Sequence, residues 1–168
     1  MKKILIVVAA VMTLWVTSAK SQDMDQSYKT ALGLKLWNYG GGVTIKHFIA
    51  PNHALEGIGY FWNGGVRLTG LYEFHFDIAN APGLKWYVGP GVHVGFYNNG
   101  YKDPYGYYGN PNGNGTASYV GIDGVLGLDY KFNKAPINLS LDWQPSVEFG
   151  DGRGFYGGWG GVGVRYTF

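Results

Sequence analysis

Alternation of apolar and polar residues is the clearest pattern in this chain. From Ile137 to Phe149 every odd-numbered residue is apolar and every even-numbered residue is polar. Because successive side chains of a β-strand point to opposite sides of the sheet, this segment is predicted to be a strand with one apolar and one polar face. The same split occurs in Val66–Phe76, Lys85–Tyr97 and Tyr119–Phe132. The chain is therefore predicted to be built from amphipathic strands.

The pattern predicts eight strands and no helix. The predicted strands are, in chain order, Tyr28–Trp37, Val43–Ile49, Ala54–Trp62, Val66–Phe76, Lys85–Tyr97, Tyr119–Phe132, Ile137–Phe149 and Tyr156–Phe168. An even number of antiparallel strands can close into a barrel that leaves no strand edge exposed. The predicted fold class is therefore all-β, an eight-stranded antiparallel barrel.

The lengths of the strands and the nature of their connections favour a barrel that crosses a membrane. Several predicted strands have about ten residues, the length that a tilted strand needs to cross a bilayer. Short connections at 50–53 and 134–136 alternate with glycine-rich ones, as in bacterial barrels that have short periplasmic turns and longer outer loops. The glycine-rich connections are 38–42, 63–65, 98–118 and 150–155. The connection at 77–84 is longer than a tight turn and fits this scheme less well.

A soluble barrel or sandwich is the alternative, because its apolar face would point to a core and its polar face to water. The polar faces of the predicted strands carry few Lys or Glu residues and many Gly, Ser, Asn and Tyr residues. That composition suits the filling of a narrow lumen better than a solvated surface. Aromatic residues at the strand ends suit the girdles at the two membrane interfaces. They are Trp37, Trp62, Trp86, Phe96, Tyr130, Phe132, Phe149, Tyr156, Tyr166 and Phe168. The sequence therefore predicts a transmembrane β-barrel.

Composition excludes several classes of protein. The chain has 168 residues, 29 glycines and no cysteine, and its formal net charge is +2. Without cysteine it can form no disulfide, thiolate metal site or cysteine nucleophile. Its small net charge offers no basic surface for nucleic acid. The length fits a single domain, predicted at residues 22–168.

The first residues, 1–21, are predicted to be a secretory signal peptide. Two lysines precede an apolar run from Ile4 to Val16, and small and polar residues follow it. The run is shorter than the ~20 residues that a membrane-spanning helix needs. Cleavage is expected after Ala19 or after Ser21. With cleavage after Ser21, the loss of three lysines takes the formal charge from +2 to −1, so the exported chain is nearly neutral.

Three segments carry a resemblance to a known family. The closing segment Gly161–Phe168 alternates apolar residues and ends in Phe, and Gly70–His75 and Asn138–Trp143 are amphipathic strand segments. With these features the chain resembles the small eight-stranded outer-membrane β-barrels of Gram-negative bacteria, the broad group that includes the OmpX, OmpA-barrel and OmpW types. The last two segments look like the uncharacterised "outer membrane protein beta-barrel" group in particular. That group has no settled biochemical activity, so the resemblance implies a fold and a location without an activity.

The resemblance also implies partners. A chain of this type lies in the bacterial outer membrane with both termini in the periplasm, as a monomer in contact with outer-membrane lipid and lipopolysaccharide. In the family, the barrel-assembly machinery reads the terminal strand during insertion. The residues that correspond to this assembly signal here are Val162, Val164, Tyr166 and Phe168.

Charged residues on the polar strand faces are predicted to lie inside the barrel. The predicted network of lumen charges is Arg67, Glu73, His93, Asp123, Asp129, Asp142, Glu148 and Arg165, and the same faces carry Lys35, Glu56, His75, Lys85 and Lys131. Antiparallel pairing predicts that Asp142 lies near Arg165 and that His93 lies near Asp123. Buried charges persist when they are paired, and an eight-stranded barrel is just wide enough for side chains to fill it. A plugged lumen is therefore the leading interpretation, and a small conduit for hydrophobic or small polar solutes is the alternative.

Enzymatic chemistry is a further alternative, because small outer-membrane barrels include lipid-modifying enzymes. Ser118, His93 and Asp123 could form a set in which the histidine takes the serine proton and the aspartate orients the ring. No activating motif surrounds Ser118, and a lumen pair of His93 with Asp123 explains two of the three residues without catalysis. The chain is therefore predicted not to be an enzyme, and no catalytic, cofactor-binding or metal-ligating residue is assigned.

The longest connection, 98–118, sets tyrosines among turn-forming residues. Tyrosine can bind partners at low entropic cost. Tyr101, Tyr105, Tyr107 and Tyr108 are therefore candidate contacts for an unknown surface partner, and a solvated loop without a partner is the alternative. The function predicted from the sequence is a non-enzymatic structural or surface-interaction barrel, with a small conduit and a lipid-modifying enzyme as the other two possibilities.

Overall fold

The computed structural model describes a large part of the chain. The described residues are 28–37, 40–98, 102–103, 106–107, 116–149 and 154–168. The predicted signal peptide and three of the loop tyrosines, Tyr101, Tyr105 and Tyr108, lie outside the described residues, and Tyr107 is described by its backbone alone. Within the described ranges, no helix is long and apolar enough to span a membrane.

Ten strands make up the described structure. They are β1 Thr30–Trp37, β2 Gly40–Ala50, β3 His53–Trp62, β4 Gly65–Asp77, β5 Leu84–Asn98, β6 Lys102–Asp103, β7 Gly106–Tyr107, β8 Thr116–Lys131, β9 Ile137–Phe149 and β10 Phe155–Thr167. The two-residue strands β6 and β7 form a small antiparallel pair within the longest connection. The other eight strands correspond to those predicted from the alternation of the sequence.

The eight long strands form a closed antiparallel barrel. Their order around the wall is β1-β10-β9-β8-β5-β4-β3-β2. The first strand closes the barrel because it pairs with a neighbour on each side: Leu34 lies opposite Val43 of β2 and opposite Val164 of β10. The all-β, eight-stranded antiparallel barrel predicted from the sequence is therefore confirmed.

The barrel places its apolar side chains outside and its charged side chains inside. On β1, Leu34 is 61% exposed whereas the next residue, Lys35, is completely buried. The same arrangement, which is the reverse of that in a soluble protein, is found around the wall. The exposed large side chains are aliphatic or aromatic, and most of the buried ones are polar or charged. Water cannot stabilise an apolar outer face of this extent, whereas the hydrocarbon of a bilayer can.

The two ends of the barrel differ in their connections. Both described termini and the connections at 50–53, 77–84 and 131–137 lie at one end, which we call the terminal end. The connection between β4 and β5 is longer than a tight turn, and hydrogen bonds from Ile78 N to Leu84 O and from Leu84 N to Ala81 O close it. The remaining connections, which include the longest one, lie at the opposite end, which we call the loop end.

A bulge in β10 changes which side chain points inward. Tyr156 lies opposite Ser146 of β9, but the next inward position, opposite Gln144, is taken by Trp159 instead of Gly158. One extra residue in a strand reverses the face that the following side chains occupy. The bulge therefore turns a tryptophan into the lumen at the loop end.

Candidate functional site

The lumen is the candidate functional site, because charged side chains from all eight barrel strands meet in it. The buried bases are Lys35, Lys46, Arg67, Lys85 and Arg165, the buried acids are Glu56, Glu73, Asp123, Asp129, Asp142 and Glu148, and His75 and His93 are buried among them. The charges of both signs are therefore nearly balanced inside the barrel.

Glu56 of β3 is the centre of a first group of ion pairs. The Arg165 guanidinium donates to the Glu56 carboxylate from the far side of the lumen. The Thr44 hydroxyl donates to Glu56 Oε1 over 2.5 Å, and the ammonium groups of Lys35 and Lys46 each lie 3.6 Å from the carboxylate. A carboxylate with this many cationic and hydroxyl neighbours has its buried charge compensated.

Lys46 of β2 connects the acids of three strands. Besides Glu56, its ammonium group lies 2.8 Å from Glu73 and 3.3 Å from Asp129, and it stands 4.3 Å from the centre of the Tyr87 ring. His75 Nε2 lies 2.8 Å from the same Glu73 carboxylate. Lys46 was missing from the set of lumen charges predicted from the sequence. The alternation of Val43, Thr44, Ile45 and Lys46 is the signal that could have found it.

Arg165 of β10 also donates to side chains of β2 and β9: its Nε donates to Thr44 Oγ1 over 3.3 Å. Its Nη1 donates to Ser140 Oγ over 2.8 Å and to Asn138 Oδ1 over 3.1 Å. Asn138 in turn donates to Asp129 Oδ1 over 2.7 Å. The guanidinium is thus held by groups on both sides of the lumen, which is the bonding that a buried charge requires.

Asp142 of β9 does not pair with Arg165, contrary to the prediction from strand pairing. Its partner is Lys35, whose Nζ lies 2.5 Å from Asp142 Oδ2. Tyr87 and Gln144 also donate to this carboxylate, over 2.6 and 2.9 Å. The register explains the difference, because the residue opposite Asp142 on β10 is a glycine and the residue opposite Arg165 is Asn138. We call this set of linked charges the lower cluster. Its members are Lys35, Lys46, Glu56, Glu73, Asp129, Asp142 and Arg165.

A second group of charges, the upper cluster, lies nearer the loop end. The Arg67 guanidinium of β4 donates to Asp123 of β8 and lies 3.6 Å from Glu148 of β9. His93 Nδ1 lies 2.9 Å from Asp123, and its Nε2 lies 3.5 Å from Glu148. The Trp159 ring covers the guanidinium at 4.1 Å, a distance at which cation–π attraction is effective. Side chains of five strands, β4, β5, β8, β9 and β10, are thus joined inside this part of the barrel.

Apolar side chains lie between the two clusters on β3, β4 and β8. On β4 the inward side chains run from Arg67 to Leu71 to Glu73, and on β8 Val125 lies between the inward acids of the two clusters. Leu71, Val125 and Ile58 of β3 are almost fully buried, and they form one cluster with two lumen tyrosines. This apolar layer interrupts the polar lining of the lumen on these three strands, whereas on β9 the inward residues between the two clusters, Gln144 and Ser146, are polar.

Tryptophans cover the lumen at the loop end. The ring centres of Trp37 and Trp62 lie 6.2 Å apart, and each lies 5.5 Å from the ring of Trp159. The sequence placed Trp37, Trp62 and Tyr156 in outer interfacial girdles, and for these residues that prediction is wrong. Trp37 and Trp62 are half-buried and pack against lumen residues, and Tyr156 is buried. At the terminal end, burial and then the nearby Asp129 carboxylate raise the pKa of the Tyr28 hydroxyl well above its usual range.

The set of Ser118, His93 and Asp123 does not assemble as a catalytic triad. Ser118 is exposed on the outer face of β8, whereas His93 and Asp123 are buried in the lumen. The strand wall therefore lies between the hydroxyl and the imidazole. Among the described residues, no group of three or more His, Asp or Glu side chains could hold a metal ion.

Two lysines predicted on the inward faces lie at the terminal end instead of in the clusters. Lys131 donates to the carbonyl groups of Phe132 and Ala135, over 2.7 and 2.8 Å, and so stabilises the turn after β8. Lys85 lies 3.2 Å from Asp77 at the barrel rim. The four residues of the predicted assembly signal, Val162, Val164, Tyr166 and Phe168, are all exposed on the outer side of the wall.

Comparison with known proteins gives a match in structure alone. No family model matches the chain, and no curated protein matches it. The fold is similar to the crystal structure of the N-terminal β-barrel domain of Pseudomonas aeruginosa OprF, with a TM-score of 0.58 and 19% sequence identity over 83% of this chain and 94% of that one. The likeness supports the predicted fold class, an eight-stranded antiparallel β-barrel.

Proposed function

We propose that this chain is an integral protein of the bacterial outer membrane, with a structural or surface-interaction role and a lumen closed by its own side chains. The observation that carries the proposal is the inverted polarity of the wall, seen in neighbours such as Leu34 and Lys35. A closed barrel satisfies every backbone ladder without a free edge, so it can place such an apolar face in hydrocarbon.

The packing of the lumen supports a closed state. Ion pairs and hydrogen bonds link all eight strands across the interior, and apolar side chains fill the space between the upper and the lower cluster on β3, β4 and β8. Interiors of eight-stranded barrels are just wide enough for side chains to fill, whereas aqueous channels occur in barrels of about 16 strands. The same side chains therefore hold the wall together and fill the lumen.

The exposed surfaces support the proposed partners. Lipid and lipopolysaccharide contact the apolar outer face, and the outward residues of β10 near Phe168 are accessible to an assembly machinery during insertion. At the loop end, the connection between β5 and β8 is the place where a surface partner binds. A monomer is sufficient for all these contacts.

Bilayer recordings of the refolded chain 22–168 test this proposal. The folded state is first established by the shift in gel mobility on heating and by protection of the strands from protease in vesicles. We expect such protein to insert into a planar bilayer without stable single-channel current. Failure to insert would overturn the membrane location, and a steady current from inserted protein would overturn the closed lumen.

A small conduit is the second candidate function. It is favoured by the upper cluster, where Arg67 Nη1, His93 Nε2 and Glu148 Oε2 are buried without a hydrogen bond among the described residues. Polar atoms of this kind are positions at which water or a small polar solute can bind. In the same recordings, a steady current whose size changes in Arg67→Ala would establish this alternative, and silence of both proteins would exclude it.

A further inference from the structure

An apolar groove crosses the outer face of the wall formed by β3, β4 and β5. Its volume is about 500 Å³, and the outward residues that line it are Leu55, Gly57, Gly70, Tyr72, Pro90 and Val92. Apart from the Tyr72 hydroxyl, these side chains carry no polar atom. The groove lies within the belt of exposed apolar residues described above.

Two glycines that face each other create the groove. Gly57 of β3 lies opposite Gly70 of β4, so two adjacent outward positions have no side chain. A Cβ atom at Gly70 would meet nothing within 4 Å, and one at Gly57 would meet only Ile45 Cγ2, at 3.5 Å. The glycines are therefore not required by close packing of the wall, and they leave space between the exposed side chains of Leu55 and Val92.

The strand ladder beneath the groove contains a proline. Between β4 and β5 the pairing includes Leu71 with Gly91 and Phe74 with Val88, but no pair between these two. Pro90 lies in this gap, where its ring replaces the N–H that a strand would use for a ladder hydrogen bond. On the lumen side, Leu71 is the buried neighbour of Tyr72 on β4, and Glu56 lies opposite it on β3.

One end of the groove is polar. The Tyr72 hydroxyl lies 2.9 Å from His53 Nδ1, and His53 is the first residue of β3, at the terminal end of the barrel. A ligand in the groove would therefore meet a hydroxyl and an imidazole near the membrane surface and apolar groups deeper in the membrane. This order of contacts matches a phospholipid, in which the polar ester groups lie near the membrane surface and the acyl chain lies deeper.

We propose that the groove binds one acyl chain of a phospholipid from the leaflet on the terminal side of the barrel. The inference rests on the proposed membrane location. The groove covers three adjacent strands, about 10 Å across at a strand spacing of about 4.8 Å. A second copy of the chain would need a patch of about 800 Å² on each partner for a stable contact, so a single hydrocarbon chain fits this narrow groove better.

Photolabelling with a phospholipid that carries a diazirine on its acyl chain tests the proposal. The protein is refolded in vesicles that contain a small fraction of this lipid, and labelled peptides are identified by mass spectrometry. We expect peptides of β3, β4 and β5 to be labelled several-fold more than those of β9 and β10. Even labelling around the barrel would overturn the proposal. Peptides of the groove labelled less than those of β9 and β10, because a second copy of the chain covers them, would overturn it as well.

Variants at outward glycines make the test specific. Gly70→Leu fills the groove, and Gly41→Leu is the matched control, because Gly41 faces outward on β2 near the loop end and does not line the groove. We expect Gly70→Leu to reduce labelling of β3 to β5 to the level of the opposite wall and Gly41→Leu to leave it unchanged. Gly70→Val, which adds a smaller side chain suited to a strand, replaces the first variant if that one fails to fold.

The two proposals fail in different ways in this experiment. Wild-type protein that is not heat-modifiable or not protected in vesicles would contradict the membrane location itself. Protein that inserts correctly but whose labelling is unchanged in Gly70→Leu would contradict the acyl-chain site alone.

Discussion

The Arg165 guanidinium on β10 donates to the Glu56 carboxylate on β3, three positions away around the barrel wall. The contact therefore crosses the lumen instead of following the sheet, and it joins residues that are 109 positions apart in the chain. Both groups are completely buried. Cross-lumen pairs of this kind stabilise the closed barrel in addition to its ladder of backbone hydrogen bonds.

Removal of Arg165 is expected to destabilise the barrel strongly. In Arg165→Ala the buried Glu56 carboxylate loses its guanidinium partner, and the loss of one member of a buried pair costs about 3–5 kcal/mol. The free energy of unfolding in urea, measured in vesicles, gives this cost. Val164→Ala, a change at the neighbouring outward position, is the control and should cost much less. Equal stability of the two variants would show that the pair contributes nothing.

Lys35 and Asp142 are expected to be energetically coupled. A double-mutant cycle with Lys35→Met and Asp142→Asn should give an interaction energy of about 0.5–3 kcal/mol, because the two groups are in direct contact. The cycle that combines Asp142→Asn with Arg165→Met should give a smaller value, since those residues do not bond to each other. The reverse order of the two coupling energies would favour the pairing predicted from the sequence over the one in the structure.

The strands could be predicted from the sequence because each face of the wall has one environment. In Ile137–Phe149 the alternation is complete, and the observed strand has the same bounds. The second strand was predicted too short, at Val43–Ile49, because the glycines at 40–42 have no side chain to show which face is apolar. The lumen-facing acids and most of the bases were found by the same alternation.

The contacts within the lumen could not be predicted in the same way. Strand pairing indicates which residues are neighbours along the wall, but the partners of Asp142 and Arg165 depend on the tilt and stagger of strands on the opposite side. Trp159 shows a second limit. The bulge that turns it inward is formed at Gly157 and Gly158, and two glycines give no pattern from which an inserted residue could be recognised.

Truncation of Leu71 is expected to destabilise the apolar layer. Leu71→Ala removes most of a buried side chain between the two clusters, and such changes cost about 2–5 kcal/mol. Leu68→Ala is the matched control, because Leu68 lies on the same strand but is 49% exposed on the outer face. Urea unfolding of both variants in vesicles measures the difference. A cost for Leu68→Ala equal to that for Leu71→Ala would contradict the assignment of inner and outer faces.

The tryptophans provide a direct test of which surface faces lipid. Trp86 and Trp143 are 38% and 48% exposed on the outer wall, whereas Trp159 packs over Arg67 inside the lumen. Phospholipids with brominated acyl chains quench tryptophans that they contact. Replacement of Trp86 and Trp143 by Phe should therefore abolish most of the quenching, and Trp159→Phe should leave it unchanged. Strong quenching that persists without the two outer tryptophans would show that the tryptophans at the loop end contact lipid. That result would agree with the prediction of an aromatic girdle and would contradict the placement of these tryptophans in the lumen.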